Sequence, residues 1–293
     1  MRYAVSNWIY GDEPLERTFS QLRRFGYDGV EIKGEPDYYD PVEVRRLSRE
    51  YGIPVTSIAG WVPWPTESRD LAHPDPLVRE RAVVYFSRCV DFAFAVGAEI
   101  VIVVPAAVPR LVPMGFSDDP EVWPQLVEAE WRLAVESVQR AADYARRRRV
   151  TLAIEPVNRF ETFLVTTAAQ ALQFLDQVGS AAVKIHLDTF HMNIEEADPA
   201  GTIRLVGSRL ASMHVSDSNR LAVGEGHTDF RALLRALGEV GFGGPLVLEP
   251  LPPVPNAFVA ARLQRLADLR DTYAEVSLQR LKELERSLRQ PVS

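Results

Sequence analysis

Runs in which apolar residues dominate or alternate recur at 3–8, 28–33, 54–60, 99–104, 150–155, 182–188, 210–215 and 246–249, and they predict β-strands. Between and after them, apolar positions return every three or four residues over 15–26, 41–52, 76–97, 124–149, 167–178, 199–208, 229–241 and 257–290, which predicts amphipathic helices. The pattern is therefore βα, eight times over. No Gly/Ser linker or shift of composition interrupts it. Right-handed crossovers recurring at roughly 36 residues match a closed parallel barrel. The expectation is an α/β chain folded as a (β/α)8 TIM barrel, a single domain over 1–293 with a helix and tail at 257–293.

Two stretches exceed what a barrel needs. The Pro-rich segment 105-PAAVPRLVPMGFSDDPEVWP-124 follows strand 4 and so falls on the face where such barrels build sites. The last helix carries Leu263, Leu266, Leu269, Tyr273, Val276, Leu281, Leu284 and Leu288 in approximate three-and-four spacing. That stripe reads either as a core-facing helix with a frayed tail or as an oligomer contact.

Composition narrows the partners. The chain is 46% hydrophobic and 25% charged with net charge −7, which suits a large core and argues against nucleic acid. Its one cysteine, Cys89, lies in a helical run and offers neither a disulfide framework nor a cysteine-based zinc site. The start, MRYAVSNWIYGDEP, lacks a cationic region followed by an apolar run, and no stretch of the sequence is long and apolar enough to span a bilayer. These features predict a cytoplasmic protein with no membrane partner.

Four consecutive strands reach a candidate metal ligand at their C-terminal ends: Glu155 in TLAIE, Asp188 in KIHLD, His214 in ASMHV and Glu249 in LVLE. Alternation of side chains places Glu155 with Ala153, Asp188 with His186, His214 with Ser212 and Glu249 with Val247, all towards the barrel axis. Three carboxylates and one imidazole around one point repel one another without a cation. Oxygen-rich ligation with a single nitrogen favours Mn2+, Mg2+ or Co2+ over structural zinc. Glu155 and Glu249 share a context, AIEP and VLEP, in which the following proline ends the strand and leaves the carboxylate at the rim. Strands 5 and 8 lie three apart around the ring, so these two groups approach a central substrate from different sides, as proton exchange on both faces of one carbon requires.

The segments 155-EPVNRFE-161, 187-LDTFHMNIEE-196, 214-HVSDSNR-220 and 248-LEP-250 together resemble the ketose 3-epimerases, the D-tagatose and D-psicose 3-epimerase group of the xylose isomerase-like barrels, and 70-DLAHPDPLVRERAV-83 resembles them more weakly. The resemblance implies a Mn2+ or Co2+ site at Glu155, Asp188, His214 and Glu249, with Glu155 and Glu249 also exchanging the C3 proton of a free ketose. It implies substrate-positioning roles for Glu161, His191 and Arg220, and a homodimer or homotetramer. Each has an ordinary alternative: Glu161 as a solvated loop carboxylate, His191 as a helix cap or partner of Glu195, Arg220 as an ion-pair partner of Asp217 or Glu225. Asn193, Glu195 and Glu196 are expected in a solvated loop.

Outside this set, His186 is expected to be buried and hydrogen-bonded below Asp188, His227 is read as a loop residue, and Glu31 points inward in register with Lys33. Trp8, Trp61, Trp64, Phe116 and Trp123 are candidates for an apolar wall against the sugar. The first strand, the segment 60-GWVPWPTES-68 and the Pro-rich segment depart from the epimerase pattern, which leaves the C4 to C6 preference open. The prolines of 250-PLPPVPNAF-258 remove amide donors where a phosphate cradle would form, favouring a free sugar, whereas 224-GEGH-227 keeps a phosphorylated one in play. Competing activities are an aldose–ketose or hydroxypyruvate-type isomerase, an inosose-type dehydratase, an abasic-site nuclease, which five histidines and negative charge disfavour, and an inactive binding barrel.

Overall fold

The computed structural model describes residues 1–61, 66–115, 119, 121–254 and 256–289, and for Ala257 and Phe258 the backbone only. Eight parallel strands close into a barrel in sequence order: β1 (Arg2–Ser6), β2 (Gly29–Lys33), β3 (Val55–Ala59), β4 (Ile100–Val103), β5 (Thr151–Ile154), β6 (Val183–Asp188), β7 (Leu210–Val215) and β8 (Pro245–Leu248). β8 pairs with β1, Leu248 opposite Val5. The expected (β/α)8 barrel is observed.

Helix boundaries follow local chemistry. Asp40, Asp75, Asp198 and Asp229 each accept a backbone N–H at the start of a helix, three of them with proline at the first position, and Thr167 with Gln170 closes a capping box. Among the described residues no helix is long and apolar enough to cross a membrane.

Alternation sorts the strands into two layers. Outward residues such as Val101, Val103, Leu152, Ile154, Ile185 and Leu187 join the main core under the helices. Ile100, Ile102 and Ala153 form a separate apolar cluster. A register shift between Ile185 and His186 passes over Ala211, so that His186 faces Ser212 and Asp188 faces His214. That shift brings both pairs to common levels.

Three local expectations are corrected. The first strand stops at Ser6, and a 3-10 turn, Asn7–Tyr10, carries Trp8 across the barrel mouth. Residues 189–195 form a short helix rather than a loop, because Asp188 Oδ1 accepts the Phe190 N–H at 2.8 Å and caps it. The run 257–290 is broken into Ala257–Arg262, a 3-10 turn at Gln264–Leu266, and Ala267–Arg289. Buried Arg270 causes the break, donating to the Ala260 and Leu263 carbonyls while pairing with Glu13 at 2.7 Å. The last helix packs inward through Ala274, Ser277, Leu278 and Leu281, with Leu284 and Leu288 half-buried against the same core, so part of the leucine stripe faces the barrel.

Gly60 ends β3 at the catalytic face, where a Cβ would meet the Ile102 carbonyl and stand 2.9 Å from the Phe86 ring. Neither neighbour is the far end of a flexible chain. Gly60→Ala is expected to lower stability by about 1–3 kcal/mol, the usual range for overpacking, read as a shifted urea midpoint; an unchanged midpoint refutes the close-approach argument.

Candidate active site

Glu155 and Glu249 stand one residue beyond β5 and β8, their backbone N–H groups held by Val103 O at 3.0 Å and Val215 O at 2.9 Å. Asp188 ends β6 and His214 lies near the end of β7. All four side chains are buried. His214 sits between the glutamates, Nδ1 3.5 Å from Glu155 Oε1 and Nε2 3.3 Å from Glu249 Oε1. Each of the four leaves one buried atom without a hydrogen-bond partner: Glu155 Oε2, Asp188 Oδ2, His214 Nδ1 and Glu249 Oε2. Orphaned donor atoms on converging charged groups are costly unless a cation takes them up. Overlapping triads, Glu155–Asp188–His191, Glu31–His214–Glu249 and Glu155–His186–His214, bring such atoms within 4.8 Å of one another. The residues fit a divalent ion held mainly by oxygen.

Glu31, left outside the set by the sequence, belongs beside it. Its Oε1 lies 3.0 Å from His214 Nε2 and its Oε2 accepts from Ser57 Oγ at 2.7 Å. This bond directs the Nε2 proton of His214 at Glu31 and leaves Nδ1 facing the other ligand atoms, where a bound cation would displace its proton. His186 is as expected, buried, with Nδ1 2.7 Å from Ser212 Oγ and Nε2 accepting the His214 N–H at 3.2 Å. Both its nitrogens are thus occupied, which removes it from the ligand candidates.

The substrate-positioning candidates also meet here. His191 is buried in the short helix, Nε2 3.6 Å from Asp188 Oδ2 and 3.9 Å from Glu155 Oε1. Its Nδ1 accepts from Asn158 Nδ2 at 2.7 Å, and the same Asn158 amide donates to Glu161 Oε1 at 3.0 Å. Asn158 therefore orients both, a role that the sequence alone did not assign to it. Arg220 pairs with neither Asp217 nor Glu225. Its Nη1 is 2.7 Å from Asp188 Oδ2, in ion-pair rather than hydrogen-bond geometry, and 3.5 Å from Glu249 Oε2, with the guanidinium over the Phe190 ring at 4.4 Å. Asp217 instead accepts the N–H groups of Ser218, Gly224 and Thr228 and folds the loop that carries Arg220, which adopts φ +63°. Nor are the acidic residues after His191 merely solvated: Glu195 pairs with Arg159 at 2.6 Å, and Glu196 accepts the Ala168 N–H at 2.8 Å. Asn193 accepts from exposed His227 at 2.9 Å.

Electrostatics follow from burial. Burial pushes the Glu249 carboxyl up to about 8, only partly offset by His214 and Arg220. Burial also works against charge on Asp188 and on His214, but Arg220 outweighs it at the first and Glu249 with Glu31 at the second. Asp188 is held below the usual carboxylate range and His214 well above the imidazole range. His186, buried beside His214, is held well below it.

Above these groups opens a cavity of about 450 Å3, lined by Trp8, Trp61, Val104, Val108, Pro109, Val157, Phe160 and Phe190, with Glu155, Glu161, His191, Arg220 and Asn256 as its polar groups. Trp8 and Trp61 thus form the expected apolar wall. Trp123 lies at the start of the helix Val122–Arg148, away from this cavity; Trp64 and Phe116 fall outside the described residues.

The family model of the xylose isomerase-like TIM barrels matches residues 19–271. An L-ribulose 3-epimerase of Mesorhizobium japonicum is 32% identical over 80% of this chain and 75% of its own. A D-psicose 3-epimerase of Ruminiclostridium cellulolyticum is 29% identical over 78% of this chain and 76% of its own. The solved D-allulose 3-epimerase from Methylomonas sp. in complex with D-allulose superimposes with a TM-score of 0.81 at 26% identity, covering 97% of this chain and 96% of that one. The likeness runs through nearly the whole barrel, and the chain belongs to the ketose 3-epimerases among the xylose isomerase-like TIM barrels, an enzyme of the isomerase class.

Proposed function

We propose that the enzyme epimerises a free ketose at C3, in the manner of the D-tagatose and D-psicose 3-epimerases. The observation that carries this reading is the pair Glu155 and Glu249, set on either side of His214, each with a buried oxygen left without a partner, Glu155 lining the cavity and Glu249 bonded to Trp8 in its wall. Inversion at carbon needs a base on one face and an acid on the other; isomerisation between neighbouring carbons runs on a single relay. This separates C3 epimerisation from the aldose–ketose, hydroxypyruvate-type and inosose-type alternatives, which share the first proton abstraction.

Glu155, Asp188, His214 and Glu249 would hold a divalent cation, Mn2+ in our reading with Co2+ or Mg2+ as alternatives, and the bound ion supplies a Lewis acid beside the substrate carbonyl. One glutamate removes the C3 proton and the other returns it from the opposite face. His191, through Nε2–H, and Glu161 hydrogen-bond the O1/O2 end, both steadied by Asn158. Arg220 offers its donors to a substrate hydroxyl or to the enediolate. The Trp8 and Trp61 wall excludes water, which strengthens each of these interactions. The prolines after β8 favour a free sugar over a phosphorylated one. The resemblance further leads us to propose a cytoplasmic homodimer or homotetramer.

Glu155→Gln and Glu249→Gln are each expected to fold and to lose about 10²–10⁴-fold in kcat, measured on free ketohexoses and ketopentoses; full activity in either ends the proton-transfer assignment. In D2O, deuterium should enter at C3 with epimer formation, and label confined to C1 with an aldose product would sink the C3 reading. Dialysis against a chelator is expected to abolish turnover and lower the melting midpoint, with excess Mn2+ at about a hundred times its Kd restoring roughly 2.7 kcal/mol. A midpoint indifferent to both treatments contradicts the metal site.

A further inference from the structure

The first strand is one of the three segments expected to depart from the epimerase pattern, and the turn that follows it carries Trp8. After Ser6 the chain turns through the 3-10 segment Asn7–Tyr10 beside β2, and β1 itself pairs with β8. Asn7 holds the turn, accepting the Lys33 N–H at 2.8 Å and donating to the Tyr39 hydroxyl at 3.2 Å. Trp8 is 4% exposed and packs edge-on against Trp61, ring centroids 5.5 Å apart at 73°. A buried indole N–H needs an acceptor. Here the acceptor is Glu249 Oε1.

That bond makes the two carboxylates unequal. Glu249 Oε1 accepts from a neutral indole as well as lying 3.3 Å from His214 Nε2, and Oε2 is left near Arg220 Nη1 at 3.5 Å. Glu155 Oε1 instead faces two imidazoles, His214 Nδ1 at 3.5 Å and His191 Nε2 at 3.9 Å. We propose that Trp8 is a positioning residue for one half of the epimerisation: its N–H fixes the terminal torsion of Glu249, so that Oε2 is the oxygen presented to the reacting carbon on that face. The inference rests on the reading that Glu155 and Glu249 exchange the C3 proton. Without the bond the carboxylate rotates, and its productive population falls. Binding changes little so long as a ring stays at position 8 in the wall.

Trp8→Phe removes the donor and keeps a ring in the wall. Each of two C3 epimers is incubated in D2O with the metal-loaded enzyme, and deuterium in recovered substrate is compared with product formed, alongside kcat and KM. The expected result is a kcat lowered about tenfold with KM within about twofold. From the epimer deprotonated by Glu155, the ratio of exchange to product should rise several-fold, because return through Glu155 outruns delivery by Glu249. From the other epimer it should not rise. Equal losses with unchanged ratios are the signature of damaged packing and overturn the proposal, as does an unaltered kcat. Should Trp8→Phe fail to fold, 3-benzothienylalanine at position 8 replaces only the N–H by sulfur, with the same expectations. If the unmodified enzyme incorporates no deuterium at C3, the epimerisation reading itself fails and takes the proposal with it; label in the unmodified enzyme with unshifted ratios in the variants overturns the role of Trp8 alone.

Discussion

Negative charge gathered in a buried place governs this molecule. Glu31, Glu155 and Glu249 converge on His214, Asp188 stands on the neighbouring strand paired with Arg220, and none has enough water around it to be neutralised by solvent. Arg220 and His214 compensate part of that charge, and burial favours a proton on Glu249 for another part. The remaining orphaned atoms are what a cation would satisfy. Much of the surrounding structure serves to keep these groups from separating: strand ends fixed to neighbours, a helix begun on Asp188, a loop folded around Asp217.

The outline of this arrangement is legible in the sequence because it depends on short-range rules. Period-two alternation inside eight strands decides which side chains face the axis, and the residue that ends each strand then has one direction to point. Glu155, Asp188, His214 and Glu249 follow from that logic alone. The segment EPVNRFE, by contrast, carries Asn158 without announcing that one amide steadies both His191 and Glu161. Contacts between distant segments are less legible still. Glu31 and His214 are 183 residues apart, and Trp8 and Glu249 are 241 apart. Both pairs join because the barrel closes, and closure assigns neighbours that no local pattern names.

Misread boundaries have the same origin. The polar residues after Asp188 look like a loop by composition, yet one side-chain oxygen at the right place starts a helix there. The last helix looks continuous by period, yet buried Arg270 takes two carbonyls and breaks it. In each case a single long-range or capping hydrogen bond overrides a run of weak preferences.

The capping of the short helix by Asp188 has a consequence for how this barrel can diversify. One residue ends a strand, begins a helix and holds its other oxygen 2.7 Å from Arg220 Nη1, so β6, the short helix and the loop after β7 are tied together at one side chain. A change there alters the strand end, the helix start and the local charge together, so that corner of the barrel is open only to substitutions that satisfy all three at once.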